Sequence, residues 1–369
     1  MPSRILALYH KPQVQLSCRT GTRMFLVSLC AFAGIARASL NDGGNSLTVC
    51  FAALTAALIT ETLCSLKRGH ITILDGSAAA SAFVLTLLLP NGIDPALAAV
   101  GAIFAIAVTK FSYGGLGSSW LNPALSGWFF LRISWPSAFT ESLSASPLAV
   151  LSKALRELDR GSIGSPIEYL QQNGFEIQGR VTSFFNEHIL KIVNIEFPAY
   201  YLDFFSLSFS GIIGDNGIFV LIFCSVLLLA FNVSRFMYSA IYLAVYLILV
   251  KIFGSLIFSG LFFEGDMLFC LFTGGTIVTA VFLLPEPASS PKTSIGKMIA
   301  AIIAAFLSFY FRYVKNEAYG AFFAIIIVNM LVPLIRSAES VYFFNKAKHL
   351  QNVDIQQLGT VRSGMVKGA

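Results

Sequence analysis

Long apolar runs, separated by short polar turns, constrain this sequence more than any other feature. They fall at about 23–40, 47–65, 74–90, 94–110, 120–136, 214–231, 236–253, 257–285, 297–313 and 318–336. A helix needs about 20 apolar residues to cross a bilayer, where only helices and closed barrels satisfy every backbone polar group. The runs at 74–90 and 94–110 are short for that length. The run at 257–285 is long and is interrupted by Glu264, Gly265 and Asp266, as a broken helix would be. Charged residues make up only 12% of the chain against 56% hydrophobic, about half the charged share of a soluble domain. The expected class is therefore an all-α polytopic membrane protein with about ten transmembrane helices.

Lys and Arg set the orientation. Residues 1–22 carry Arg4, Lys11 and Arg19, with Arg23 next, and no acid. With this tail in the cytoplasm, ten spans place Lys67, Arg68, Lys110, Arg235, Lys292, Lys297, Arg336, Lys346 and Lys348 on the same side. The short loops 41–46 and 91–94 on the other side have no Lys or Arg, although the later outer loops hold a few, around Lys251 and Lys315. Both termini, including the 337–369 tail, are thus expected on the cytoplasmic side. The 137–213 insertion is expected outside, and its eight acids against five Lys or Arg agree. The net charge of +6 belongs to these loops, so nucleic acid is not an expected partner.

The insertion separates five runs (23–136) from five (214–336). An odd number of spans makes homologous halves inverted repeats. Asp75-Gly76-Ser77 through Leu89-Pro90 resembles Thr273-Gly274-Gly275-Thr276 through Leu284-Pro285, and Asn122 is paired with Asn329. Small residues that recur because helices pack closely through them are the other explanation.

Three places offer chemistry. At Asp75-Gly76-Ser77 a carboxylate lies at the edge of an apolar run, which is either a helix cap formed by Ser77 or an ion or cofactor contact. In Ser112–Leu125, Gly114, Gly115 and Gly117 break the chain before Asn122-Pro123 starts a helix. That helix start can hold an anion or a polar ring, or simply form a turn. Ser146, before Pro147-Leu148, reads from its residues as an N-cap. The acids in or beside spans are Glu61, Asp75, Glu264, Asp266 and Glu286. Of these, Asp75, Glu264 and Asp266 are the candidates for an ion pathway, whereas Glu61 is within reach of Lys67 or Arg68. The six cysteines form no CxxC pair, the four histidines have no metal-ligand spacing, and no Walker pattern or nucleophile–base pair occurs.

Taken in order, Asp75-Gly76-Ser77, Gly114-Gly115-Leu116-Gly117 with Asn122-Pro123-Ala124-Leu125, Ser144-Ala145-Ser146-Pro147-Leu148, Thr273-Gly274-Gly275, Pro285–Pro291 and Asn329–Pro333 resemble one family. It is the D subunit of the Rnf ion-translocating electron transport complex, similar to the B subunit of the sodium-translocating NADH:quinone reductase. The likeness runs from about 22 to 336.

The resemblance implies a subunit of an ion-translocating oxidoreductase, not catalytic alone, that works with other membrane and peripheral subunits. It implies FMN joined through its phosphate to a hydroxyl in the outer insertion, installed by a flavin transferase. Ser146 occupies that acceptor position, with three departures from the family's motif. The acceptor is Ser rather than Thr, Thr140 stands at the Asp position, and Leu143 stands at a Ser or Thr position. A second, noncovalent flavin is also implied, with Gly114, Gly115, Gly117 and Asn122 as its lining. A cofactor-free solute channel or transporter suits an inverted five-plus-five arrangement equally well.

Overall fold

The computed structural model describes residues 20–68, 75–115, 117–144, 184, 187, 211–231, 236–254, 262–263, 265–315 and 317–366. Ser146, Glu264 and most of the 137–213 insertion lie outside the described residues. The first part forms α1 (Thr20–Asn41), α2 (Asn45–Arg68), α3 (Ser77–Leu88), α4 (Pro95–Phe104), α5 (Pro123–Ser134) and α6 (Pro136–Ser144). The second forms α7 (Ile213–Asn216), α8 (Ile218–Ala230), α9 (Phe236–Phe253), α10 (Met267–Phe272), α11 (Thr276–Val278), α12 (Ser294–Phe309) and α13 (Gly320–Val366). Three helices run on into wider π turns: α4 through Ala105–Phe111, α11 through Thr279–Leu283 and α12 through Tyr310–Val314.

Among the described residues, four helical stretches are long and apolar enough to cross a membrane: Gly21–Asn41, Asn45–Arg68, Ser294–Val314 and Gly320–Phe344. Large apolar side chains such as Phe25, Leu63, Phe223 and Leu334 face outward along these and the shorter apolar helices. This is an all-helical integral membrane protein among the described residues. Lipid is as apolar as Leu, so helices gain little by hiding apolar surface from it, and they associate through close approach of small residues. Ala53 and Ala57 of α2 are buried, as are Ala98 and Ala102 of α4, where these helices pack. Ala300, Ala301, Ala304 and Ala305 of α12 are fully buried, and α12 packs on α9 and α13. One close crossing joins α4 and α5, where a Cβ on Gly127 would lie 2.6 Å from the Gly101 carbonyl oxygen.

Helix α3 is buried almost all round, with Leu85, Leu87, Leu88 and Leu89 inaccessible, so it runs through the middle of the bundle. Its C-terminal end zips onto the entry to α7. Pro90 and Ile212 form an antiparallel bridge, the Ile213 amide donates to Leu89 O at 3.0 Å, and the Asn91 amide donates to Gly211 O at 2.7 Å. Elsewhere Trp128 of α5 packs edge-on against Phe322 and Phe323 of α13, and Arg132 bonds Glu317 at 3.1 Å. These contacts fasten the two parts together.

The parts share a succession of local features. A left-handed glycine, Gly76 (φ 70°) or Gly275 (φ 67°), is the N-cap of a short helix. Each short helix leads to a Leu-Leu-Pro segment, Leu88–Pro90 or Leu283–Pro285, and then to a helix opened by a side-chain cap. Those caps are Asp94, which accepts from Ala96 N, and Thr293, which accepts from Gly296 N. Each capped helix ends in a π turn that carries a buried cation, Lys110 or Arg312.

Several sequence expectations change. Helix begins only at Ser77 and Pro123 rather than at 74 and 120. The long run is interrupted at Gly265 and Asp266 as expected, where Asp266 caps α10 by accepting from Phe269 N at 2.9 Å, but it breaks again at Thr273–Gly275. Asn122 caps a helix, but Asn329 sits nine residues inside α13, so the two are not equivalent in place. Helix α13 continues far past 336, to Val366.

Candidate functional site

The most polar interior of the first part is built around Lys110. A π turn carries one more residue per turn than an α-helix and so redirects the side chains that follow it. Here it turns Lys110 inward, where it is 3% exposed. Its ammonium forms an ion pair with Glu61 of α2, itself fully buried, and donates to Ser77 Oγ at 2.6 Å. Ser77 Oγ in turn donates to Asp75 Oδ1 at 3.2 Å. Two carboxylates, an ammonium and a hydroxyl thus form one chain of contacts from inside the bundle to the entry of α3. Glu61 thus reaches across to Lys110, rather than serving only the nearer Lys67 and Arg68, because its turn of α2 faces the interior. Lys110 is not a loop charge, and Ser77 is the first residue of α3 rather than its cap, the place of which Gly76 takes. Arg68 instead donates to the Phe111 carbonyl and lies over its ring, closing the end of the π turn.

Lys110 and Ser77 line a cavity of about 210 Å³. One wall is apolar, with Met24 and Val27 of α1, Val84 of α3 and Phe282 beyond α11. The other carries Gly115, Gly117, Ser119 and Asn122. Gly114, Gly115 and Gly117 all have positive φ (116°, 104° and 88°), which lets this loop fold back tightly before α5. Asn122 Oδ1 accepts from Ala124 N at 3.0 Å and Leu125 N at 3.3 Å, with Pro123 at the first helical position. The sequence-predicted Gly115, Gly117 and Asn122 are therefore brought together, with Gly114 beside them and Asp75 reached through Ser77. Asp266 is part of a different local structure, the cap of α10.

Two charged residues of the same cavity keep unused polar atoms. Arg23 Nε and Glu286 Oε2 are enclosed and have no hydrogen-bond partner among the described residues. Glu286 lies in the Pro285–Pro287 connection to α12. Burial pushes its carboxyl from the ordinary 4.5 up to about 8. A carboxyl with a raised folded value favours its neutral form, so its stabilising effect is complete below about 4.5 and is lost as pH rises through about 8. Thermal unfolding midpoints are expected to fall across that window. Glu286→Gln should remove this part of the fall, and an unchanged pH profile in the variant would show that another group causes it.

The set of donors suits a flat, largely apolar ligand with a polar edge. Arg23 and the Ser77–Lys110 pair supply donors, Glu286 an acceptor or, when protonated, a donor, and the loop glycines leave backbone accessible. A ring system such as a flavin's fits that description. The cavity's charged lining was only partly foreseeable. Arg23 and Lys110 read as orientation signals, and Glu286 as an acid beside a span.

Comparison with known proteins gives a consistent result. The family model described as the NQR2, RnfD, RnfE family matches residues 7–343. The chain is 28% identical over 334 residues to the D subunit of the proton-translocating ferredoxin:NAD(+) oxidoreductase complex of Clostridium ljungdahlii, covering 90% of this chain and 93% of that one. It is 29% identical to the D subunit of the ion-translocating oxidoreductase complex of Psychromonas ingrahamii, covering 86% and 92%. It is 24% identical to the D subunit of the Na(+)-translocating ferredoxin:NAD(+) oxidoreductase complex of Acetobacterium woodii, covering 93% and 97%.

Proposed function

The chain belongs to the NQR2, RnfD, RnfE family, and from that membership we propose that it is the D-type membrane subunit of an Rnf-type ion-translocating oxidoreductase complex. The observation that carries this reading is the extent of the match, residues 7–343, which takes in both helical parts and the insertion between them. Relatives that cover nine-tenths of the chain bear the name of the same subunit. Those two names differ in the ion, proton in one and Na⁺ in the other, so the reading covers either.

In this proposal the ten spans form two inverted five-helix repeats, with both termini cytoplasmic in a bacterial inner membrane and the 137–213 insertion outside. The matched order of left-handed glycine, short helix, Leu-Leu-Pro, capped helix and π-turn cation supports the repeat. FMN is attached as a phosphoester to Ser146 by a flavin transferase. The 210 Å³ cavity takes a second, noncovalent flavin, which Gly115, Gly117 and Asn122 bound on one side and Arg23, Lys110 and Glu286 meet with polar groups. A bound flavin supplies the one- and two-electron chemistry. The chain's own residues position the ring and exclude water from it. The Glu61–Lys110–Ser77–Asp75 chain holds the compensating charges at the cavity wall. Asp75, Glu264 and Asp266 remain the candidates for the ion pathway.

Membrane vesicles from cells lacking the chain, and from cells in which it is restored, test the assignment. Electron transfer from reduced ferredoxin to NAD⁺ should drive ion uptake only where the chain is present. Uptake that persists without it, or solute movement by the purified chain that needs no electron donor, would overturn the proposal in favour of a cofactor-free transporter.

A further inference from the structure

Between α10 and α11 the helix breaks inside an apolar run. Thr273 is extended, Gly274 and Gly275 take φ of 69° and 67°, and helix resumes at Thr276. Such a break leaves the last carbonyls of one piece and the first amides of the next without helical partners, ends that suit a cation and an anion respectively. Here side chains of the same chain fill both. The Asp215 carboxylate, from α7, accepts from the amides of Gly275 at 2.9 Å and Gly274 at 3.1 Å. The Arg312 guanidinium, from the π turn after α12, occupies the carbonyl end.

Its Nη1 donates to Cys270 O at 3.2 Å, Thr273 O at 3.0 Å, Thr276 Oγ1 at 3.3 Å and Tyr246 Oη at 3.1 Å. Its Nη2 donates to Thr273 Oγ1 at 2.6 Å. All five acceptors are neutral oxygens, two carbonyls and three hydroxyls, gathered on one buried positive group that is itself 9% exposed. Asp215 interacts with it electrostatically from the other side of the break. Glycine at 274 is required for this approach, since a Cβ there would lie 2.9 Å from Arg312 Nη1.

A cage of neutral backbone and hydroxyl oxygens at a helix break is the donor set that binds a dehydrated monovalent cation. We propose that this cage is a monovalent-cation site whose occupant is the chain's own guanidinium. Arg312 stands in for a bound ion such as Na⁺, and while it stays in place the break in the second part is closed to a free one. The inference rests on the cage alone and is independent of the redox reading.

The test uses the full chain with Arg312→Ala, purified in mild detergent. Its thermal unfolding is followed with increasing NaCl against N-methyl-D-glucamine chloride at matched ionic strength. The variant's midpoint should rise with Na⁺, linearly in the logarithm of concentration above the dissociation constant, and the wild type should show no Na⁺-specific rise. Adding Thr273→Val should move the response to higher Na⁺. A variant that folds only when NaCl is present gives the same support. A Na⁺-independent midpoint, an equal response from the wild type, or failure to fold in either salt would overturn it.

Discussion

Glu61→Ala is expected to be the most damaging single substitution in the first part of the bundle. Lys110 keeps Ser77 as a partner but loses its carboxylate, and its ammonium lies in a site that is 3% exposed. Breaking a buried ion pair by removing one member costs about 3–5 kcal/mol, because the remaining charge has neither water nor a counter-charge. That is of the order of a whole domain's net stability. Thermal unfolding in detergent should therefore show a large fall in midpoint or no folded protein. The pair itself is a different matter. Replacing both members, as in Glu61→Leu with Lys110→Met, removes the desolvation cost along with the attraction, so most of the loss should be recovered. A double variant no better than Glu61→Ala would mean that the charges are needed for folding in their own right. A single variant as stable as the wild type would mean that Lys110 finds another partner. If the cavity holds a ligand through this wall, the double variant should fold and yet bind it poorly, which separates the structural from the functional role of the pair.

How far the sequence alone leads depends on which residues carry the signal. Helix α9 lies at 236–253 where the apolar run places it, because that stretch carries a single charge, Lys251, and that only in its last turn. Asn122-Pro123 is readable as a helix start because capping is local chemistry: one side-chain oxygen and two amides a few bonds away. Gly114, Gly115 and Gly117 are readable as a chain break for the same reason.

The charged interior is not local, and this is where the reading falls short. Lys110 is the last residue of the run at 94–110, so a window of hydropathy assigns it to the aqueous edge. The π turn at Ala105–Phe111 then redirects it by one residue's worth of rotation, and π turns have no sequence signature. Its partner Glu61 is 49 positions earlier, on a helix with two nearer cations at its end. Arg312 escapes notice inside an apolar run for the same reason. Asp215 sits between Gly214 and Asn216, where a turn is the natural reading, and only the fold brings it to Gly274 and Gly275. The signal that would have found all four is a charged residue within about one turn of the apolar part of a span, whatever its neighbours. The proposed attachment site in the insertion is legible only through its likeness to a family motif.

Removal of that proposed site should have an all-or-none effect. A hydroxyl joined to FMN through phosphate survives denaturation, whereas a noncovalently held flavin is released. Ser146→Ala removes the only atom through which the proposed bond can form at that position and leaves the described bundle untouched. Serine differs from the family's threonine by one methyl group, so the chemistry of the phosphoester is unchanged. The departures at Thr140 and Leu143 bear on recognition by the transferase instead, and restoring Asp at 140 should raise the flavinylated fraction if it is below one. The measurement is the intact mass of the chain, produced together with the flavin transferase of its own cell, with and without Ser146→Ala. The wild-type mass should be greater by one FMN less one water, located to the peptide containing Ser146, with no such addition in the variant. A fully matured wild-type chain with no added flavin phosphate would contradict the proposed attachment.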